Sequence, residues 1–146
     1  MTNYNTDFYR WTQTQAAALA AGHVGKLDLA NLAEEIESLG KRDWRELSSR
    51  LTVLMMHLLK WRHQPELRET STWSSTIFTQ RLHLTKLLRQ SPSLRRQVAR
   101  MIEEDYPAAR YLAATETRLP LATFPEVCPW ARDEVLDESF LPEATP

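Results

Sequence analysis

Residues 51–61 read Leu-Thr-Val-Leu-Met-Met-His-Leu-Leu-Lys-Trp, and they form the longest apolar run in the chain. At helical spacing the leucines of this run make one face with Met55, while Val53 and Met56 put apolar groups on the opposite side. A helix that is apolar nearly all round is a buried helix, and this run is too short to span a bilayer. It therefore predicts the central helix of a protein core.

The composition is that of a helical globular domain. The chain has 146 residues, of which 42% are hydrophobic and 25% are charged, and this length suffices for one domain with its own core. It contains only 3 glycines, whereas strong helix formers are abundant. We therefore predict a single domain over residues 1–146 of the all-α class, a compact bundle of about five helices.

Caps and glycines delimit two helices before the central run. Asp7 is a suitable N-cap for a first helix, which Gly22 is placed to end. Asp28 is a suitable N-cap for a second helix, and Gly40 is placed to close it. Apolar residues of this second helix recur at intervals of three and four and predict one buried face, formed by Leu29, Leu32, Ala33, Ile36 and Leu39.

Prolines set the limits of the next helices. A third helix begins near Asp43, carries the central run and stops at Pro65. A fourth helix covers residues 73–89. Ser91 and Pro92 are a start signal for a fifth helix, which Pro107 should kink or break.

The end of the chain differs in texture. Residues 119–130 alternate prolines with large apolar side chains. Such a segment can be neither an interior strand nor a long helix, and its apolar content argues against a free linker. We expect a proline-rich C-terminal segment that wraps over the bundle, with a short helix over residues 130–136.

Basic and acidic residues are separated along the chain. Residues 60–100 hold 9 basic and 2 acidic side chains, whereas residues 101–146 hold 3 basic and 10 acidic ones. The simpler interpretation is that the acidic tail packs against the basic middle. The alternative is a basic surface that binds nucleic acid, for which the candidates are Arg68, Lys86, Arg89, Arg95, Arg96 and Arg100.

The N-terminus and the cysteine content bear on the compartment. The first residues lack the basic and then apolar pattern of a signal peptide. Cys128 is the only cysteine, which excludes an internal disulfide and favours a reducing compartment. We expect a cytoplasmic protein without a membrane role.

Ionisable residues interrupt several apolar helical faces. Arg81 lies in the apolar stripe of the fourth helix, between Ile77 and Leu84. A buried guanidinium without a partner is costly, so Arg81 must pair or line a cleft. We expect a polar network whose candidate members are Glu35, Glu37, His57, Arg81 and Glu116, with Asp105 as a further candidate.

This network allows two interpretations. It is either a structural device that fixes helix register, or a pocket in which Arg81 binds an anionic group and His57 acts as acid or base. Paired Glu-x-x-His segments, His-Glu-x-x-His and a glycine-rich phosphate loop are all absent from the sequence. We therefore expect no metal and no cofactor, and no catalytic residue is assigned.

Several sequence blocks carry a family resemblance. They are Asp28-Leu-Ala-Asn-Leu-Ala-Glu-Glu-Ile-Glu-Ser-Leu-Gly40, His57-Leu-Leu-Lys-Trp61, Gln64-Pro65, Trp73 with Thr76-Ile77, Gln80-Arg81, Ser91-Pro-Ser-Leu94, Glu116-Thr117 and Phe124-Pro125. In this order they resemble the bacterial domain-of-unknown-function family 29. The resemblance implies an all-helical, cytoplasmic, bacterial protein, and it implies no activity and no site residue.

Three functions remain open from the sequence. The favoured one is a non-enzymatic module that binds another protein or forms a homo-oligomer, which an exposed apolar patch on the third or fifth helix would support. The second is a small enzyme or ligand binder with a polar pocket around Arg81 and His57. The third is nucleic-acid binding through residues 60–100.

Overall fold

The structure is a computed structural model that describes residues 3–144. Within this range the protein is all-α, as predicted, with no strand. Its five helices are α1 (Phe8–Ala20), α2 (Leu29–His63), α3 (Trp73–Gln90), α4 (Val98–Thr117) and α5 (Arg132–Leu136).

The chain divides into two compact units, Met1–Arg42 and Asp43–Pro146. The first unit contains α1 and the start of α2. The second contains the rest of α2 with α3, α4 and α5. The single domain over residues 1–146 stays a prediction.

The ends of α1 follow the predicted signals. The Asp7 carboxylate accepts a hydrogen bond of 3.1 Å from the backbone N–H of Arg10, which satisfies one of the free donors at the helix start. Gly22 has a φ of 71°, a left-handed conformation that suits glycine after a helix end. The cap and the terminator of α1 are thus confirmed.

Helix α2 corrects a predicted boundary. It runs without interruption through Gly40 for 35 residues, so the predicted second and third helices are one. A glycine inside a helix costs about 1 kcal/mol relative to alanine, which weakens a helix without ending it. Gly40 also lacks the positive φ of a helix terminator. The predicted stop before Pro65 is confirmed, since α2 ends at His63.

The face that was predicted to be buried in the first part of α2 is largely exposed. Leu29, Ile36 and Leu39 are 64%, 67% and 51% exposed. Among the described residues of the unit Met1–Arg42, α1 is the only other α-helix that could cover α2, and its Trp11 is directed to Asp28, the residue before α2. The Trp11 indole N–H donates to the Asp28 carboxylate at 3.0 Å. The prediction of a buried face was therefore wrong.

The core of the second unit is built around the central run, as predicted. The face formed by Leu51, Leu54, Met55, Leu58 and Leu59 is fully buried. Side chains of the other helices and of the tail complete the same cluster, among them Ile77, Leu84, Val98, Met101, Phe124, Trp130 and Val135.

Helix α4 continues through Pro107, so this proline does not break it. Proline lacks an N–H, and the carbonyl of Glu103 therefore loses its partner within the helix. On either side of the proline, Tyr106 and Ala109 are buried, at 1% and 0% exposure. Their packing offsets the lost hydrogen bond. The start signal at Ser91-Pro92 opens a 3₁₀ turn, Pro92–Gln97, that leads into α4.

The C-terminal segment wraps over the second unit, as predicted. Tyr106 donates its hydroxyl hydrogen to the carbonyl of Pro125 at 2.6 Å, and Arg110 Nε donates to the carbonyl of Phe124 at 3.1 Å. Phe124 and Trp130 are buried in the core. Helix α5 packs against α3 and α4. The acidic end of the chain thus does lie against the basic middle.

Candidate functional site

Arg81 on α3 is buried, as expected, with 1% of its surface exposed. Its guanidinium donates to three carbonyl oxygens of the C-terminal segment. Nε reaches Val135 at 2.9 Å, Nη1 reaches Phe140 at 2.6 Å and Nη2 reaches Glu134 at 3.3 Å. Burial lowers the pKa of Arg81, while carboxylates of the tail act in the opposite direction. The Arg81 side chain therefore holds the C-terminal segment through main-chain carbonyl groups of that segment.

A second buried cation, Lys60, was not among the predicted site residues. It lies in the last turn of α2 and is 6% exposed. Its ammonium group pairs with the Glu116 carboxylate on α4, which is about half exposed. Burial lowers the pKa of Lys60. The structure thus gives Glu116 a partner that sequence reasoning did not assign.

His57 lies one turn before Lys60 on α2. Its Nδ1 is 2.8 Å from the carbonyl of Val53, so Nδ1 donates there and Nε2 is left as the acceptor of a neutral ring. Burial has the largest influence on the pKa of His57 and lowers it; the hydrogen bond to the Val53 carbonyl acts in the opposite direction, and the charge of Lys60 lowers the pKa again. The net shift favours the neutral imidazole near physiological pH.

Acidification should lower the free energy of unfolding, in part through His57. Its pKa in the folded protein lies below the ordinary value of 6.5. Between these two values the unfolded chain binds the proton more strongly, so stability falls as the pH falls through this window. Urea midpoints measured at about pH 7.5 and about pH 5 should differ less in His57→Gln than in the wild type. The exposed His23 gives the control, His23→Gln; equal differences in all three proteins would contradict the prediction.

The predicted carboxylates have other partners. Glu35 accepts a hydrogen bond from the Tyr4 hydroxyl, which raises the pKa of Tyr4 to about 12. Glu37 pairs with Lys41 at 3.5 Å on an exposed surface. The further candidate Asp105 accepts from the Ser48 hydroxyl at 2.7 Å. Within residues 3–144 no hydrogen bond or ion pair joins any two of Glu35, Glu37, His57, Arg81 and Glu116. The shared network stays a prediction.

The six basic candidates for nucleic-acid binding fall into two groups. Arg68 and Arg100 are engaged, since Arg68 stacks 4.9 Å from the Trp61 ring and Arg100 pairs with Glu104 at 3.4 Å. The other four are exposed and make no ion pair in the described part of the chain: Lys86, Arg89, Arg95 and Arg96. Nucleic-acid binding through residues 60–100 also stays a prediction.

Of the cavities that the described side chains of residues 3–144 form, two large ones each lie within one unit. One of about 870 Å³, in the unit Met1–Arg42, has mixed polar and apolar walls that include Arg10 and Asp28. One of about 450 Å³ lies between α4 and the C-terminal segment, with Cys128 and Trp130 in its wall. Burial raises the pKa of the Cys128 thiol, which disfavours a reactive thiolate. None of the predicted site residues lines either cavity.

Among residues 3–144, no three His, Cys, Asp or Glu side chains are grouped so that they could hold a metal ion. No helix in that range combines the length and the apolarity that crossing a bilayer requires.

A row of apolar side chains lies on the first turns of α2. We call it the α2 stripe, and it consists of Leu29, Leu32, Ile36 and Leu39. Leu32 is half-buried, and the other three are more than half exposed. Single exposed leucines are common on protein surfaces, whereas here three exposed apolar residues share one face of a helix.

The chain was compared with known proteins. No curated protein and no solved structure gave a significant match. A family model with the description "Domain of unknown function DUF29" matches residues 3–141, almost the whole chain and all five helices. The chain therefore belongs to this family, as the sequence blocks at Asp28–Gly40 and His57–Trp61 indicated.

Proposed function

We propose that this protein is a non-enzymatic interaction module of the bacterial cytoplasm, which binds another protein or a second copy of itself. The α2 stripe carries the proposal. Its side chains lie on a regular helix and three of the four are more than half exposed, although their spacing is that of a buried face. Covering such a row would remove apolar surface from water, which is the main favourable term in protein association.

The bacterial source and the reducing compartment are inferred from the sequence. The family resemblance favours a bacterial protein, and the single cysteine favours a reducing compartment.

The polar groups support the choice of a non-enzymatic module over a pocket enzyme. The guanidinium of Arg81 donates hydrogen bonds to main-chain carbonyl oxygens, and His57 donates to the carbonyl of Val53 in its own helix. Neither side chain lines one of the two cavities.

Ile36→Lys should abolish complex formation without unfolding the protein, because Ile36 is 67% exposed and a lysine would put a charge into the centre of the covered stripe. The measurement is native mass spectrometry of the wild type and the variant, each purified gently from the natural host. The wild type should carry a second polypeptide or a second copy of the chain, and Ile36→Lys should carry neither. Circular dichroism checks that the variant keeps its helical content.

Glu37→Lys is the matched control. Glu37 is the next residue on the same helix and is also exposed, but it points away from the α2 stripe, so its complex should persist. Two results would overturn the proposal: a wild type that remains a bare monomer at every protein concentration, or a bound polypeptide that survives Ile36→Lys. A small molecule or nucleic acid that both proteins retain would instead favour the pocket or nucleic-acid alternative.

A further inference from the structure

We infer that the occupant of the α2 stripe is a second copy of this chain, which pairs with the first in the antiparallel direction along residues 28–42. The inference rests on the proposed function and names its partner. It assigns a two-fold symmetric interface, in which each copy presents the same surface.

The spacing of the α2 stripe is that of a two-stranded coiled coil. Leu29 and Ile36 occupy the a positions of two successive heptads, and Leu32 and Leu39 occupy the d positions. Apolar residues at a and d form the seam along which two helices pack. The positions that face away from such a seam are mostly polar here: Ala30, Asn31, Glu34, Glu37, Ser38 and Lys41.

The charges beside the seam favour the antiparallel direction. When Leu29 lies opposite Leu39 of the second copy, Arg42 at its g position lies opposite Asp28, the residue directly before α2, once at each end of the interface. Asp28 is ionised, since hydrogen bonds from Asn31 and Trp11 lower its pKa. Arg42 is exposed and makes no ion pair within residues 3–144.

A parallel pair would lack this complementarity. It would place Asp28 beside Ala33 and Glu35 beside Gly40, so neither acidic group would meet a cation. Opposite charges at the flanking positions are the feature that sets helix orientation in coiled coils. The sequence around the seam thus distinguishes the two directions.

The centre of the antiparallel arrangement is compatible with close packing. Ala33 lies opposite itself, and its small side chain lets the two helices approach. Glu35 also lies opposite itself, which is the one unfavourable pair. Its carboxylate already accepts the Tyr4 hydroxyl hydrogen of its own chain, and this bond holds it toward α1.

Helix α1 extends the surface beside the seam. Trp11 of α1 contacts Asp28, just before α2, and Tyr4, just before α1, contacts Glu35, so this aromatic cluster lies on the g side of α2. Phe8 packs against both aromatic rings and remains 48% exposed. A specific interface of standard size buries about 800 Å² on each partner. An interface of two heptads with one added aromatic ring is smaller than this standard. The dimer should therefore dissociate on dilution.

Analytical ultracentrifugation of the purified full chain tests the dimer. The average mass should rise with concentration from 17.0 kDa toward twice that value. Arg42→Glu removes both end pairs and creates repulsion with Asp28, so its dissociation constant should rise about tenfold or more. Lys41→Glu makes the same charge change one residue away, at a position that faces outward, and its dissociation constant should stay close to that of the wild type.

Cross-linking tests the direction. In a Cys128→Ala background, Ala33→Cys should be joined into a covalent dimer by a short bis-maleimide, because residue 33 meets itself only when the helices are antiparallel. Ala30→Cys is equally a change of an exposed alanine, but it lies on the outer side and should stay monomeric.

A monomer at every concentration would overturn the inference, as would equal dissociation constants for Arg42→Glu and Lys41→Glu, or equal cross-linking at residues 30 and 33. The proposed function fails separately. If the purified chain is monomeric but carries a different polypeptide that Ile36→Lys loses, the interaction module stands and the self-pairing falls.

Discussion

Replacing Arg81 by methionine should lower the free energy of unfolding by about 3 kcal/mol. Arg81 is 1% exposed and donates to three carbonyl oxygens. Methionine fills a similar volume but donates nothing, so three acceptors of the C-terminal segment lose a charged partner, and the carbonyl of the buried Val135 loses it away from water. Urea unfolding with a fitted midpoint and slope measures the loss.

The loss of stability in Arg81→Met should be largest in the C-terminal segment. Hydrogen exchange in Arg81→Met should accelerate first in residues 132–140, which Arg81 holds, and least in residues 51–59 of the central run. Arg89→Met is the control, since Arg89 lies on the same helix and is exposed; its stability should change by less than about 0.5 kcal/mol. An Arg81→Met protein as stable as this control would show that the carbonyl contacts do not hold the tail.

Trp11→Ala should undock α1, at a cost of about 3 kcal/mol to the local stability of the unit Met1–Arg42. Trp11 is 3% exposed, its indole N–H donates to Asp28, and its ring contacts Tyr4 and Phe8. The other buried side chains of α1 are Gln15 and Ala18, which offer little apolar area. A helix of 13 residues is marginal in water once its packing is lost.

Hydrogen exchange is again the direct measurement for Trp11. Amides of residues 8–20 should lose protection in Trp11→Ala, whereas amides of residues 51–59, in the other unit, should keep it. Tyr9→Ala is the matched control, because Tyr9 is an aromatic residue of the same helix with 74% of its surface exposed. Unchanged protection of residues 8–20 in Trp11→Ala would show that α1 docks by other contacts.

Some features of this fold were predictable because the atoms that decide them are neighbours in sequence. The Asp7 cap acts on Arg10, three residues later. Gly22 adopts its positive φ directly after the helix, and Pro65 stops α2 through its own ring. The apolar run over residues 51–61 likewise contains in itself the evidence that it is buried.

The stop at Gly40 and the break at Pro107 were predicted from the cost of each residue alone. A glycine in a helix costs about 1 kcal/mol, which a long helix tolerates, and a proline costs about 3 kcal/mol, which buried side chains nearby can offset. Tyr106 and Ala109 bury their side chains on both sides of Pro107. Sequence spacing alone does not show that these contacts exist.

The candidate site shows the same division between local and distant information. The burial of Arg81 was predictable from its apolar neighbours one turn away. Its acceptors were not, because every residue carries a carbonyl oxygen and no side chain marks the three that Arg81 uses. Lys60 carries a signal that was available, namely a cation inside the central apolar run between Leu59 and Trp61.

The α2 stripe marks the limit of periodicity as evidence. The spacing of Leu29, Leu32, Ile36 and Leu39 showed correctly that these residues share one face of a helix. It did not show whether the same chain covers that face. Whether the face is covered depends on the helices that pack beside it. Among its described residues the unit Met1–Arg42 has α1 as its only other α-helix.

The contacts of Arg81 also bear on how this protein can change during evolution. Arg81 donates to carbonyl oxygens, which every residue carries whatever its side chain. Glu134 or Phe140 can therefore be substituted without loss of the acceptor. An insertion or deletion between Val135 and Phe140 is different, because it shifts one acceptor relative to the others. In related chains this segment should therefore vary in sequence more readily than in length.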